Sequence, residues 1–138
     1  RLIEESVRYA GERKQFGQAI IGFQLLQGML ADSKTEALAA EALLNAVAAK
    51  FDRGENVSLE ASSLKYFSSE AVGRIADRAV QIHGGAGYMA EYKVERFYRD
   101  VRLLRIYEGT SQIQQLIIGR LVTGIDALKP MTTDPAAT

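Results

Sequence analysis

The 138-residue chain has no cysteine, two prolines, a single histidine and no surplus of charge of either sign. Without thiols there are no disulfides and no thiolate metal sites, a composition compatible with a reducing compartment. The 17 basic and 17 acidic side chains cancel. That leaves no positive potential to hold a nucleic-acid backbone or an anionic membrane, and it excludes nucleic acid as the main partner. No apolar run approaches the roughly 20 residues a bilayer-spanning helix needs, and the opening "RLIEESVRYA" lacks a signal-peptide core, so no membrane insertion is expected. One histidine, His83, is too few for the paired Glu-x-x-His motifs of a di-iron bundle, and no metal is expected. Sustained strand-like alternation is missing as well.

What is present is 47% hydrophobic content, enough for one globular domain with a single core. From Phe23 to about Arg53, Leu26, Leu30, Ser33, Ala37, Ala40, Leu44, Val47 and Phe51 recur at steps of four and three. This is the seam of a helix lying nearly lengthwise on its neighbours. "DRGEN" breaks the pattern; Asn56 or Ser58 can cap the next helix, with Glu60 near its positive end. That helix carries Leu64, Phe67, Ala71, Ile75, Ala79 and Ile82 on one side and stops at Gly84-Gly85. An Arg- and aromatic-rich amphipathic segment follows over 92–104. The last helix opens at "TSQIQ", where Ser111 and Gln114 have capping-box spacing and Ile113, Leu116, Ile117 and Leu121 form the apolar face. The fold class is all-α, an antiparallel four-helix-bundle-like domain over 1–126 with a fraying tail at 127–138 that holds Pro130 and Pro135. The start has helical spacing at Ile3, Val7 and Ala10 but no initiator Met and no cap, which points to the C-terminal piece of something longer.

Three loops are richer than chain reversal requires. In "ERKQFGQAIIGFQ", Arg13 and Lys14 precede Phe16-Gly17. Guanidinium groups match phosphate oxygens in fork geometry, so this is either a phosphate grip or a solvated helix end with Phe16 tucked into the core. In "QIHGGAGYMAEYKVERFYRD", Gly84, Gly85 and Gly87 follow His83 and either admit a cofactor to the backbone or merely cap a helix. No strand precedes them, so they are not a dinucleotide fingerprint, and His83 reads best as a packed or hydrogen-bonded side chain. In "RIYEGTSQIQ", Glu108 precedes a helix start whose free N–H groups and Thr110 and Ser111 hydroxyls suit a polar ligand group. Glu108 is either a surface charge or a base, since desolvation beside an apolar ligand strengthens a carboxylate as a base.

In this order and spacing, "YAGERKQFG", "QIHGGAGYMAEYKVERFYRD" and "IYEGTSQIQ" closely resemble the C-terminal helical domain of the acyl-CoA dehydrogenases, over about 1–122. The resemblance implies a three-domain FAD flavoenzyme, of which only the last domain is here, so the chain alone should not turn over. It implies that Glu108 removes an α proton of an acyl-CoA thioester while the β hydrogen leaves as hydride to FAD, giving a trans-2-enoyl-CoA. It further implies that the Glu108 backbone N–H is a donor to the enolate oxygen and that Gly109 keeps the loop against substrate. Implied FAD contacts are Arg13, Lys14, Gln15, Phe23 and Gln24; Gln81, Ile82, His83, Gly84 and Gly85 on the adenosine diphosphate half; and Thr110, Ser111 and Gln112. The first two groups serve the FAD of a neighbouring subunit, which implies a homo-oligomer, a tetramer. Electron-transfer flavoprotein is the implied acceptor, and the implied compartment is the cytoplasm in a bacterium or the mitochondrial matrix in a eukaryote. Alternatives are an acyl-CoA oxidase-like flavoenzyme and a non-catalytic helical oligomerisation module.

Overall fold

In the computed structural model, which describes residues 1–129, five α-helices carry nearly all the regular structure among the described residues. They are α1 (Leu2–Glu12), α2 (Gln24–Asp52), α3 (Ser58–His83), α4 (Val94–Arg102) and α5 (Ser111–Thr123). The all-α expectation holds. Helix α3 is the hub, packed by each of the other four. Its inward face is made small, with Ala71, Ala76 and Ala79 almost wholly buried. Side-chain size sets interaxial distance, so a helix flanked on several sides needs such a face. The densest core is Leu2, Ile75, Ala76, Ala79 and Val94, where α1 and α4 meet α3, with Ile3, Phe97 and Val101 packed against it. Buried hydroxyls are satisfied locally: Ser6 donates to the Leu2 carbonyl at 2.9 Å and Ser33 to the Met29 carbonyl at 2.7 Å.

The long seam of α2 is only partly covered. Ser33 and Val47 are buried, whereas Leu44 is 52% and Phe51 68% exposed. The reason is length. Helix α1 has 11 residues against 29 in α2, about 16 Å against about 43 Å at 1.5 Å per residue. It meets α2 near Leu30 and Ser33 and cannot reach the far end.

Between α1 and α2 the chain forms a small hairpin, β1 (Lys14–Gln15) paired antiparallel with β2 (Gln18–Ala19). Two residues per strand are too few to leave alternation in a sequence. Phe16 and Gly17 turn it with φ +50° and +83°, both left-handed as a tight twisted hairpin requires. Phe16 is therefore not in the core: it stands at the tip, 92% exposed, edge-on to Phe23.

The helix starts match expectation only in part. For α3 the N-cap is Val57, with no side-chain cap bond; Asn56 before it accepts from the Ser58 backbone N–H at 2.9 Å, and Glu60 stands in the first turn as expected, paired with Lys50. For α5, no Ser111–Gln114 box forms. Thr110 is the cap, its hydroxyl accepting from the Ile113 N–H at 3.2 Å, because the Ser111 hydroxyl and the Gln114 amide are engaged by Glu70 and by the Glu108 carbonyl. Helix α5 ends at Gly124, and residues 130–138, with Pro130 and Pro135, lie outside the described residues.

Replacing Ile75 by alanine removes the largest aliphatic side chain that α3 contributes to the core cluster. The expected loss is about 2–5 kcal/mol of stability, read as a lower urea midpoint at unchanged slope.

Candidate active site

The loop that joins α4 to α5 is held across α3 by bonds from α3 and α5 side chains. After α4, a 3-10 turn (Leu103–Arg105) leads into Glu108 and Gly109, with φ +53° and +86°. A left-handed glutamate is strained, and strain persists only where the surroundings enforce it. Here Lys65 of α3 donates to the Leu104 carbonyl at 3.0 Å and to the Gly109 carbonyl at 2.6 Å. From α5, Gln114 donates to the Glu108 carbonyl at 3.3 Å. Glu70 of α3 accepts from Arg105 at 2.9 Å and from Ser111 at 2.6 Å, tying down both flanks. The Ser111 bond and, against the opposing effect of burial, the Arg105 bond hold the Glu70 carboxyl below its ordinary value. Gly73 gives Arg105 room to cross α3, since a Cβ there would stand 3.3 Å from the guanidinium.

The Glu108 carboxylate itself makes no hydrogen bond or ion pair among the described residues and is exposed. It stands on the rim of an open groove of about 430 Å³ lined by Lys65, Ser68, Ser69, Val72, Leu104 and Tyr107. Glycine suits position 109 because its φ is +86°, and a Cβ there would also fall 2.7 Å from the Gln114 amide nitrogen, which would have to shift.

A second cleft, about 490 Å³, gathers residues from two distant loops: Arg13, Gln15 and Ile20 on one side, Gln81, Ile82, His83, Gly84 and Gly85 on the other. Tyr9 and Tyr92 complete it. His83 is buried, stacked on Tyr9 with ring centroids 4.3 Å apart, and its Nδ1 lies 2.7 Å from the Ala79 carbonyl. Burial holds its imidazole below the ordinary histidine value, against the opposing pull of that carbonyl. The glycines divide. A Cβ at Gly84 or Gly85 would meet nothing within 4 Å, leaving the backbone open to a ligand, whereas one at Gly87 would strike the Val80 carbonyl at 2.6 Å. Gly87 serves internal packing. Arg13 and Lys14 have no acidic partner among the ion pairs of the described residues. A guanidinium without a carboxylate, beside open glycine backbone, fits a diphosphate.

The family model for the acyl-CoA dehydrogenase C-terminal domain matches residues 1–123. The chain belongs to the acyl-CoA dehydrogenase family. It is 48% identical over 120 residues to subunit CarC of the caffeyl-CoA reductase-Etf complex of Acetobacterium woodii, covering 87% of this chain and 32% of that protein. It is 49% identical over 116 residues to a 3-(aryl)acrylate reductase of Clostridium sporogenes, covering 84% and 31%. Butyryl-CoA dehydrogenase from Megasphaera elsdenii superposes with a TM-score of 0.85 at 36% identity, over 88% of this chain and 32% of that one. The chain thus spans about a third of the length of its curated relatives.

Of the residues singled out in this acyl-CoA dehydrogenase domain by sequence, the structure joins Arg13 and Gln15 to the 81–85 segment and gathers Glu108 to Ser111 into one braced turn. Lys14, Phe23 and Gln24 lie outside the cleft lining, and Gln112 is exposed beyond the groove. Lys65, Glu70 and Arg105 escaped sequence reasoning. They are ordinary charged residues on helical patterns, and only the crossing of the loop over α3 gives them partners 35 to 44 positions away.

Two outcomes are expected. Gly109→Ala, forced left-handed and against Gln114, should cost about 1–2 kcal/mol, seen as a lowered urea midpoint. A buried neutral His83 binds its proton less readily folded than unfolded, so its contribution is full above the ordinary value of 6.5 and is lost as pH falls from there through the depressed folded value. Thermal melts across that window should show a falling Tm, and His83→Phe should flatten it; the depressed carboxyls Glu36 and Glu70 act only lower, below 4.5.

Proposed function

We propose that this domain, within a full-length FAD flavoenzyme, supplies the catalytic base for α,β-dehydrogenation of an acyl-CoA thioester to a trans-2-enoyl-CoA. The observation that carries the proposal is Glu108, held left-handed on the rim of an apolar groove, its carboxylate without a hydrogen-bond or ion-pair partner among the described residues. A carboxylate so placed is available to a substrate. An α proton beside a thioester carbonyl is only weakly acidic, so its removal needs a base that loses its water when the apolar substrate fills the groove. Family resemblance assigns the Glu108 backbone N–H to the enolate oxygen, so one residue takes the proton and helps stabilise the charge that forms. Gly109 sets the turn behind it.

Bound FAD would supply the hydride acceptor for the β hydrogen. Arg13, Gln15, Gln81, Ile82, His83, Gly84 and Gly85 would hold its adenosine diphosphate half, Lys14, Phe23 and Gln24 would add contacts beside them, and Thr110, Ser111 and Gln112 would meet it near the reacting end. The cleft and the Glu108 groove share no lining residue, which supports the two segments serving the FAD of a neighbouring subunit. A homo-oligomer, a tetramer, is part of this reading; exposed Phe51, Leu121 and Val122 would supply apolar surface for it. CarC is named as part of a complex with Etf, which supports an electron-transfer flavoprotein as redox partner. The bacterial relatives support the cytoplasm as the compartment.

A second reading reverses the direction. CarC and the 3-(aryl)acrylate reductase are named for reduction, and the same geometry serves it, with Glu108 returning a proton to Cα.

The test is anaerobic titration of the full-length enzyme with acyl-CoA and of its reduced form with enoyl-CoA, followed by flavin absorbance. Glu108→Gln should slow both by about 10²–10⁴-fold with flavin retained. Equal rates in wild type and variant would move the base elsewhere, and absence of flavin would leave a helical module only.

A further inference from the structure

The Glu108 carboxylate makes no hydrogen bond or ion pair among the described residues, so what aims it acts through the backbone. Two α3 side chains reach that loop. Glu70 binds its flanks, at Arg105 and Ser111. Lys65 grips its backbone, one ammonium donating to the Leu104 carbonyl before Glu108 and to the Gly109 carbonyl after it.

From these contacts we infer that Lys65 is a positioning residue for Glu108, clasping both ends of the base-bearing loop to α3 and lining the same groove. The inference rests on the assignment of Glu108 as the base. Three observations carry it. Lys65 has no carboxylate partner among the ion pairs of the described residues, so its half-buried charge is satisfied by these two carbonyls, and charge-assisted bonds of this kind are about twice as strong as neutral ones. Its two acceptors lie five residues apart on a segment with two consecutive left-handed residues, a conformation that lapses without external bonds. In a trans peptide the N–H points opposite to its own carbonyl. Fixing the Gly109 carbonyl toward α3 therefore also turns the Thr110 N–H away from α3. Glu70 holds the side chains on either side of the loop, Arg105 and Ser111, whereas Lys65 holds its backbone.

The experiment uses the full-length flavoenzyme with Lys65→Met, which keeps the length of the stem without the donors, Lys65→Arg, which restores charge and donors, and Glu108→Gln as reference. Flavin content, KM, kcat and amide hydrogen exchange over 104–111 are measured for each. Lys65→Met should retain flavin and KM, lose kcat by about 10²-fold as expected for misplacement of a reacting group by about 1 Å, and exchange faster over 104–111; Lys65→Arg should recover part of both. Glu108→Gln should lose kcat with exchange unchanged. Wild-type kcat or wild-type exchange in Lys65→Met overturns the clasp, as does a loss of flavin that accounts for the loss of kcat. Full activity in Glu108→Gln instead overturns the base assignment, and the kcat arm for Lys65 with it, while faster exchange in Lys65→Met would still show the clasp.

Discussion

Everything in this domain is referred to one helix. Because α3 is packed by four other helices, alanines at 71, 76 and 79 alternate on its inward side with the larger Ile75, Ile82 and His83. Close approach on that scale makes the helix a rigid reference, since a core packed to native density transmits rather than absorbs displacement. The same helix ends in the 81–85 segment of the second cleft and carries Lys65 and Glu70 under the Glu108 loop. The two functional regions therefore share one strut. Movement of either relative to the other requires bending α3 or repacking its alanines.

The chemistry is placed on the least regular part of the chain, and the structure compensates by anchoring rather than burial. The loop from Leu103 to Thr110 contributes almost no core, yet it receives side-chain bonds from Lys65, Glu70 and Gln114. All of them end on backbone or on flanking residues. None ends on the Glu108 carboxylate, and a base already occupied by protein donors would have to break those bonds before meeting a substrate. Arg105 shows the cost of this arrangement: its Nε is buried without a partner among the described residues.

Sequence reasoning was strong where local periodicity carries the information. The long helices, the break at Gly54 and the stop at Gly84 follow from apolar spacing and glycine punctuation, and the three ordered motifs brought the family within reach. It was weaker wherever a side chain had two possible partners. Ser111 and Gln114 have the spacing of a capping box, but Glu70 and the Glu108 carbonyl compete for them and win, leaving the cap to Thr110. Phe16 is apolar enough for a core, yet the hairpin turn carries it out to the tip. Three clustered glycines suggested one open cradle, and packing against Val80 reserves Gly87 for the fold.

By itself the sequence determined the all-α class, the order of the helices and which loops hold unusual chemistry, because those properties are written in near neighbours along the chain. Only the tertiary structure decided which long-range partners meet. The joining of Arg13 to Gly84 across one cleft, the clasp of Lys65 on Leu104 and Gly109, and the partial covering of the α2 seam depend on helix lengths and crossings. A charged residue on an amphipathic pattern looks the same whether it faces water or a carbonyl 44 residues away, and the energy that distinguishes the two exists only once the chain has folded.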